Sequence, residues 1–147
     1  MTSFYNYTHW IGKGGLHIND DQIMSKEARA LEYITYDKAI IATVWAGAPG
    51  YYSNRQMVDL LGFSDAVIAK LEPKGQLIPG HNKWDYSYSI GQLQPDMIFD
   101  LWKETNDDLK NISKWGYIKK CHNIIGYAYF LKNSPQIKWE RLKDCTN

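Results

Sequence analysis

Asp59 and Asp65 enclose the segment Leu60-Leu61-Gly62-Phe63-Ser64. An aspartate inside an apolar strand is costly unless it is paired or hydrogen-bonded, so Asp59 has a task. Either it caps backbone N–H groups at a strand end, or it holds sugar hydroxyls or a metal. His81 follows Pro79-Gly80 and precedes Asn82-Lys83-Trp84-Asp85. A tight turn there gathers His81, Lys83 and Asp85, and a histidine suits general-base work near neutral pH. His81 with Asp59, Asp65 and Asp85 also offers a mixed nitrogen and oxygen ligand set. Nothing in the spacing fixes the geometry of such a centre, so no metal and no other cofactor is expected. Tyr51, Tyr52, Trp84 and Tyr86 add rings with an apolar face and a polar tip, suited to a half-wet groove or a sugar-stacking surface. Standard nucleophile and zinc-protease patterns, GxSxG and HExxH, are absent.

These residues must be placed by the elements around them. Residues 1–19 read as an irregular entry arm. Its Gly12-Lys13-Gly14-Gly15 run lacks the remainder of a phosphate-binding loop. Asp20 or Asp21 is a candidate N-cap, and Ile23, Ala28, Leu31 and Ile34 recur at helical spacing, predicting a helix over 21–34. Residues 39–45 are apolar and β-branched, as a strand covered on both faces is. Gly47 and Gly50 follow it, where small residues let the backbone approach a ligand. A helical turn over 51–55, a strand over 56–61, a short helix over 65–71 capped by Ser64, a helix over 84–93 and a strand over 96–101 come next. Residues 104–114 fit a solvated helix or loop. Residues 116–121 and 124–131 form a hairpin candidate, and 138–143 a short edge strand. The expected fold is a single α/β domain over 20–147, with a small, mainly parallel sheet flanked by helices and a C-terminal β-hairpin. Polar loops after such strands converge where open α/β sheets bind ligands.

Composition narrows the function. Length, 147 residues, suits one domain with a real core. Seventeen basic residues against sixteen acidic ones leave no footprint for nucleic acid. No apolar run approaches the ~20 residues that span a bilayer, and the first ten residues do not read as a signal peptide, so the chain reads as soluble. Cys121 and Cys145, the two cysteines, are too few for a disulfide framework. They form one bridge in an oxidising compartment or remain two free thiols.

Taken together, VWAGAPGYYSNRQMVDLLGFSD and PGHNKWDYSYSIGQLQPDMI resemble a family of membrane glycosyltransferases, the protein O-mannosyltransferase and arabinofuranosyltransferase group. The shared features are Asp59–Asp65 (Asp-Leu-Leu-Gly-x-x-Asp), Pro79–Lys83 (Pro-Gly-His-x-Lys) and Pro95–Ile98 (Pro-Asp-x-Ile), in that order. The resemblance spans most of residues 10–102. It implies the soluble extracytoplasmic C-terminal domain of a multi-span enzyme that uses a polyprenyl-phosphate sugar donor. It further implies that the catalytic acid lies in the membrane half, so the residues carrying catalysis are unknown in this chain. The implied partners are a saccharide or glycan acceptor and the membrane-embedded half. The expected substrate-binding residues are Tyr51, Tyr52, Asp59, Asp65, His81, Lys83, Trp84 and Asp85. Two alternatives stand beside this reading: a structural interaction domain, and a small hydrolase or transferase using His81 with an aspartate. A saccharide domain predicts a groove lined by Tyr51, Tyr52, Trp84 and Tyr86.

Overall fold

A computed structural model describes residues 18–75, 78 and 80–145. Helix α1 (Ile18–Ile34) is followed by strand β1 (Ile40–Thr43), helix α2 (Ala48–Ser53) and strand β2 (Gln56–Asp59). A 3-10 turn (Ile68–Lys70), a π-helical segment (Ser87–Gln92) and strand β3 (Met97–Ile98) come next. Helix α3 (Asn106–Lys114), the hairpin β4 (Tyr117–His122) and β5 (Gly126–Leu131), and a 3-10 turn (Trp139–Arg141) close the chain. The strands form one sheet in the order β2-β1-β3-β5-β4. β1 pairs in parallel with β2 and β3, while β5 runs antiparallel to β3 and β4. The α/β class and the C-terminal hairpin are as expected; the parallel character is confined to the β2-β1-β3 half.

Alternation along β1 and β3 divides the core. Ile41 and Met97 face α1, where Leu31, Ile34, Ala128, Phe130 and Ile137 pack. Ala42 and Ile98 face the other way, against Val58, Leu60, Tyr86, Ile90, Ile112 and Tyr117. Three layers result: α1, the sheet, and the π segment with α3. The stripe predicted for α1 is mostly right, since Ala28, Leu31 and Ile34 are buried, but Ile23 is exposed. The helix also begins at Ile18, so Asp20 and Asp21 lie inside it instead of capping it. The arm expected over 1–19 falls outside the described residues up to residue 17.

Aspartates shorten the strands. β3 covers two residues of the expected six. The Asp96 carboxylate accepts from the Ile40 N–H at 2.8 Å, and the Asp100 carboxylate accepts from the Val44 N–H at 2.7 Å. Two side chains four positions apart thus pin both ends of β1 to β3 where ladder bonds would otherwise run. β2 stops at Asp59, whose carboxylate takes the Leu61 and Gly62 N–H groups and turns the chain. The helix expected over 65–71 is only a 3-10 turn over Ile68–Lys70, and Asp65, not Ser64, accepts from the Val67 and Ile68 N–H groups that lead into it. Residues 84–93 hold a π segment in place of an α-helix. Gly91 lies against the Trp115 ring there, where an added Cβ would sit 3.0 Å from it. α3 carries a full capping box between Thr105 and Asp108.

Arg55 is a buried charge. Its guanidinium donates to the Thr35 hydroxyl at 3.0 Å and to the carbonyls of Thr35, Glu32 and Ser53 at 3.2, 3.3 and 3.1 Å. It thereby satisfies carbonyls left open at the end of α1 and ties them to β2. Cys121 and Cys145 form a disulfide that fastens the tail to β4. The expected C-terminal edge strand is reduced to a single bridge between Cys121 and Lys143. Among the described residues no helix is long and apolar enough to cross a membrane. The disulfide is compatible with an extracytoplasmic location.

Candidate functional site

The motif aspartates serve the backbone. Asp59 is 2% exposed and accepts from the N–H groups of Leu61, Gly62 and Ser64 and from the Ser64 hydroxyl. Asp65 accepts from the N–H groups of Val67 and Ile68 at 2.8 and 2.9 Å, and from the Tyr88 hydroxyl at 3.4 Å. Asp85 starts the π segment by accepting from the Ser87 and Tyr88 N–H groups and the Ser87 hydroxyl. Burial pushes the Asp85 carboxyl up, but the Ser87 hydroxyl, those two N–H groups and the Lys74 charge outweigh it and leave it below the ordinary value. Lys83 donates to the Ala69 carbonyl at 2.7 Å. Among the described residues no group of three or more His, Cys, Asp or Glu is gathered as a metal would need.

The aromatic groove expected from Tyr51, Tyr52, Trp84 and Tyr86 is not assembled. Tyr51, 82% exposed, meets Tyr52 edge-on on α2. Trp84 packs on the core, and Lys74 donates to its carbonyl at 2.6 Å. Tyr86 is buried in the core; its hydroxyl accepts from the Trp102 N–H at 2.6 Å and donates to the Trp102 carbonyl. A different cluster forms instead. The His81 ring sits 5.0 Å from Trp102, 5.8 Å from Phe63 and 6.0 Å from Trp45. Its carbonyl accepts from the Trp102 indole N–H at 2.8 Å. The His81 ring therefore props Trp45, the residue two positions after β1.

Trp45 leads to a pocket of about 950 Å³. After β1 the chain turns toward β2; after β3 it leaves for the far edge through α3 and β4. The two connections part in opposite directions, which opens a crevice beyond the carboxyl ends of the parallel strands. Trp45 and Pro49 line one side, Phe99, Asp100, Leu101 and Glu104 another. Ile23, Met24 and Glu27 of α1 form a third wall, and Ile125 with the start of β5, Tyr127 and Tyr129, a fourth. The exposed Ile23 is thus a pocket wall.

Among the described residues, three carboxylates and no basic residue face this pocket. Burial pushes the Asp100 carboxyl up to about 6, helped by the Glu27 charge and opposed by the Val44 N–H and the Thr43 hydroxyl. Burial also raises Glu27. A carboxyl raised by burial in a concave, mostly apolar site is a functional-site candidate. Here it can accept from hydroxyl groups when charged, or donate a proton when neutral.

None of the binding residues singled out from the sequence lines this pocket; His81 touches it only through its ring contact with Trp45. Asp59, Asp65 and Asp85 hold their own loops. Glu27, Asp100, Glu104, Tyr127 and Tyr129 were not selected from the sequence. One signal for Asp100 was legible: it directly follows the apolar run Met97–Phe99, at the carboxyl end of an expected strand. No curated protein and no solved structure matches the chain. A family model matches residues 16–139, and the chain belongs to that family, the domain of unknown function DUF8728.

Proposed function

We propose that this domain binds a saccharide, as the soluble extracytoplasmic part of a membrane glycosyltransferase that uses a polyprenyl-phosphate sugar donor. It is not catalytic alone; it holds or positions the glycan acceptor for the membrane-embedded half. The observation that carries the reading is the pocket at the carboxyl ends of β1 and β3. Aromatic walls offer faces for the C–H side of a sugar ring. Asp100, Glu27 and Glu104 offer charged acceptors for its hydroxyls, and such bonds are stronger than neutral ones. The motifs Asp59–Asp65, Pro79–Lys83 and Pro95–Ile98, in that order, support the family reading; His81 props the pocket residue Trp45, and the strand of the last motif leads into Phe99 and Asp100.

The test is an NMR titration of the domain with short glycans and polyprenyl-phosphate sugar analogues. Shifts are expected at Trp45, Phe99–Leu101 and Tyr127–Tyr129, and Trp45→Ala should weaken binding at least tenfold. Absence of shifts at millimolar ligand would overturn saccharide binding by this domain. One observation favours a second reading, a scaffold that packs on a partner: Asp59, Asp65 and Asp85 are all engaged with their own backbone.

A further inference from the structure

A second groove lies on the other flank of α1, and its chemistry is the reverse of the first. It encloses about 440 Å³ between α1 and the tip of the β4–β5 hairpin. Ala30, Tyr33 and Ile124 make an apolar floor, while Lys26, Arg29 and His122 stand at the rim, and among the described residues no acidic side chain lines it. Tyr33 and Ile124 are 54% and 55% exposed. Arg141 adds a further cation, its guanidinium 3.9 Å from the Tyr33 ring centre and bonded to the Tyr33 carbonyl. Lys143 lies near enough for its charge to act on His122. α1 thus separates charge by face: Glu27 turns toward the acidic pocket, and Lys26 and Arg29 toward the basic groove.

Exposed apolar side chains rimmed by cations mark an interaction surface. The floor offers almost no polar group to close around a small anion, which argues against a site for free phosphate. Lys and Arg stems lie along apolar surface while their heads seek negative charge, and tyrosine settles where one end is apolar and the other wet. We propose that this groove docks the domain on a bilayer rich in anionic lipid. Ile124 and Tyr33 enter the headgroup boundary, and Lys26, Arg29 and Arg141 meet the lipid phosphates. The inference stands independently of the saccharide reading, because it uses a different face and a different ligand.

The experiment is co-sedimentation of the chain with vesicles of phosphatidylcholine alone and of equal parts phosphatidylcholine and phosphatidylglycerol. Binding is expected only to the mixed vesicles. It should be lost as salt rises from about 0.1 M to about 1 M, where the screening length shrinks from about 10 Å to about 3 Å. The double variant Lys26→Glu/Arg29→Glu should weaken binding by roughly 30-fold or more, each basic residue near an anionic surface contributing about 1 kcal/mol. Both positions are exposed, so folding is retained and is checked by circular dichroism. Ile124→Asp should also weaken binding, and Trp45→Ala on the other pocket should not. Equal binding to both vesicle types, or none to either, overturns the proposal. So does unchanged binding of the double variant. Competition by soluble glycerol phosphate at matched phosphate concentration would identify a small-anion site, and binding of an acidic peptide without vesicle binding a peptide groove; each overturns it too.

Discussion

Asp59 and Asp100 are both aspartates at the ends of parallel strands, and their surroundings assign them opposite parts. Asp59 is surrounded by donors, so its charge is matched inside the protein. Asp59→Ala would leave three backbone N–H groups without their acceptor and should cost about 3 kcal/mol or more, since each unsatisfied buried group costs about 1–3 kcal/mol. Asp65→Ala removes a helix-type cap and should cost about 1 kcal/mol. Urea unfolding of the two variants separates them, and equal losses would refute the ranking. Asp100 is held above its ordinary value, from 3.8 to about 6. The folded state therefore keeps the proton that the unfolded state has already released between pH about 4 and about 6. Its contribution is full below about pH 4 and is lost as pH rises through about 6, a difference of about 3 kcal/mol at about 1.36 kcal/mol per unit. Asp100→Asn keeps an acceptor for the Val44 N–H and removes the charge. It should raise the melting temperature at pH 7.5 and change it little at pH 4; an equal shift at both would show that charge is not the cause.

At the scale of elements, the connection after β2 works as a clamp. Gly62 adopts φ +80, and a Cβ there would meet the Ala69 nitrogen and the Ile68 side chain at 2.8 Å. Gly62→Ala therefore combines left-handed strain with a clash against backbone. It should destabilise by about 2 kcal/mol or more and shift the Asp59–Leu71 amides, read by urea unfolding and NMR. Gly75, also at positive φ but with open space around it, should tolerate alanine with about 1 kcal/mol of loss. Parity between the two variants would count against the packing argument.

For the molecule as a whole, the disulfide closes the layer that carries β4. The bridge spans 24 positions. A loop of that size corresponds to about 3 kcal/mol of chain entropy removed from the unfolded state. Reduction, or Cys121→Ser with Cys145→Ser, should lower stability by about that amount in chemical denaturation while leaving the three-layer core folded. The tail should then loosen on β4 without leaving it, because the Cys121–Lys143 bridge and the Lys120–Asp144 ion pair at 2.6 Å remain. A reduced chain as stable as the oxidised one would refute this.

Local chemistry in the sequence determined the elements. The stripe Ala28, Leu31 and Ile34 specified α1, the β-branched run specified β1, and the two apolar segments around a short turn specified the hairpin. Propensity and periodicity act between near neighbours, so they are legible in one dimension. Strand ends were not, because Asp96 and Asp100 cap β1 from 56 positions away. The motif around Asp59 was read as either a cap or a binding group, and only its surroundings decided for the cap. Tyr86 was expected in a groove; its hydroxyl instead found both backbone groups of Trp102 and drew it into the core. The pocket joins Glu27, Trp45, Asp100 and Tyr127, which no spacing connects. Its existence depends on β3 inserting beside β1 and on the hairpin returning along β3. Sheet order is a balance of long-range burial against loop entropy, and the tertiary structure alone decided it.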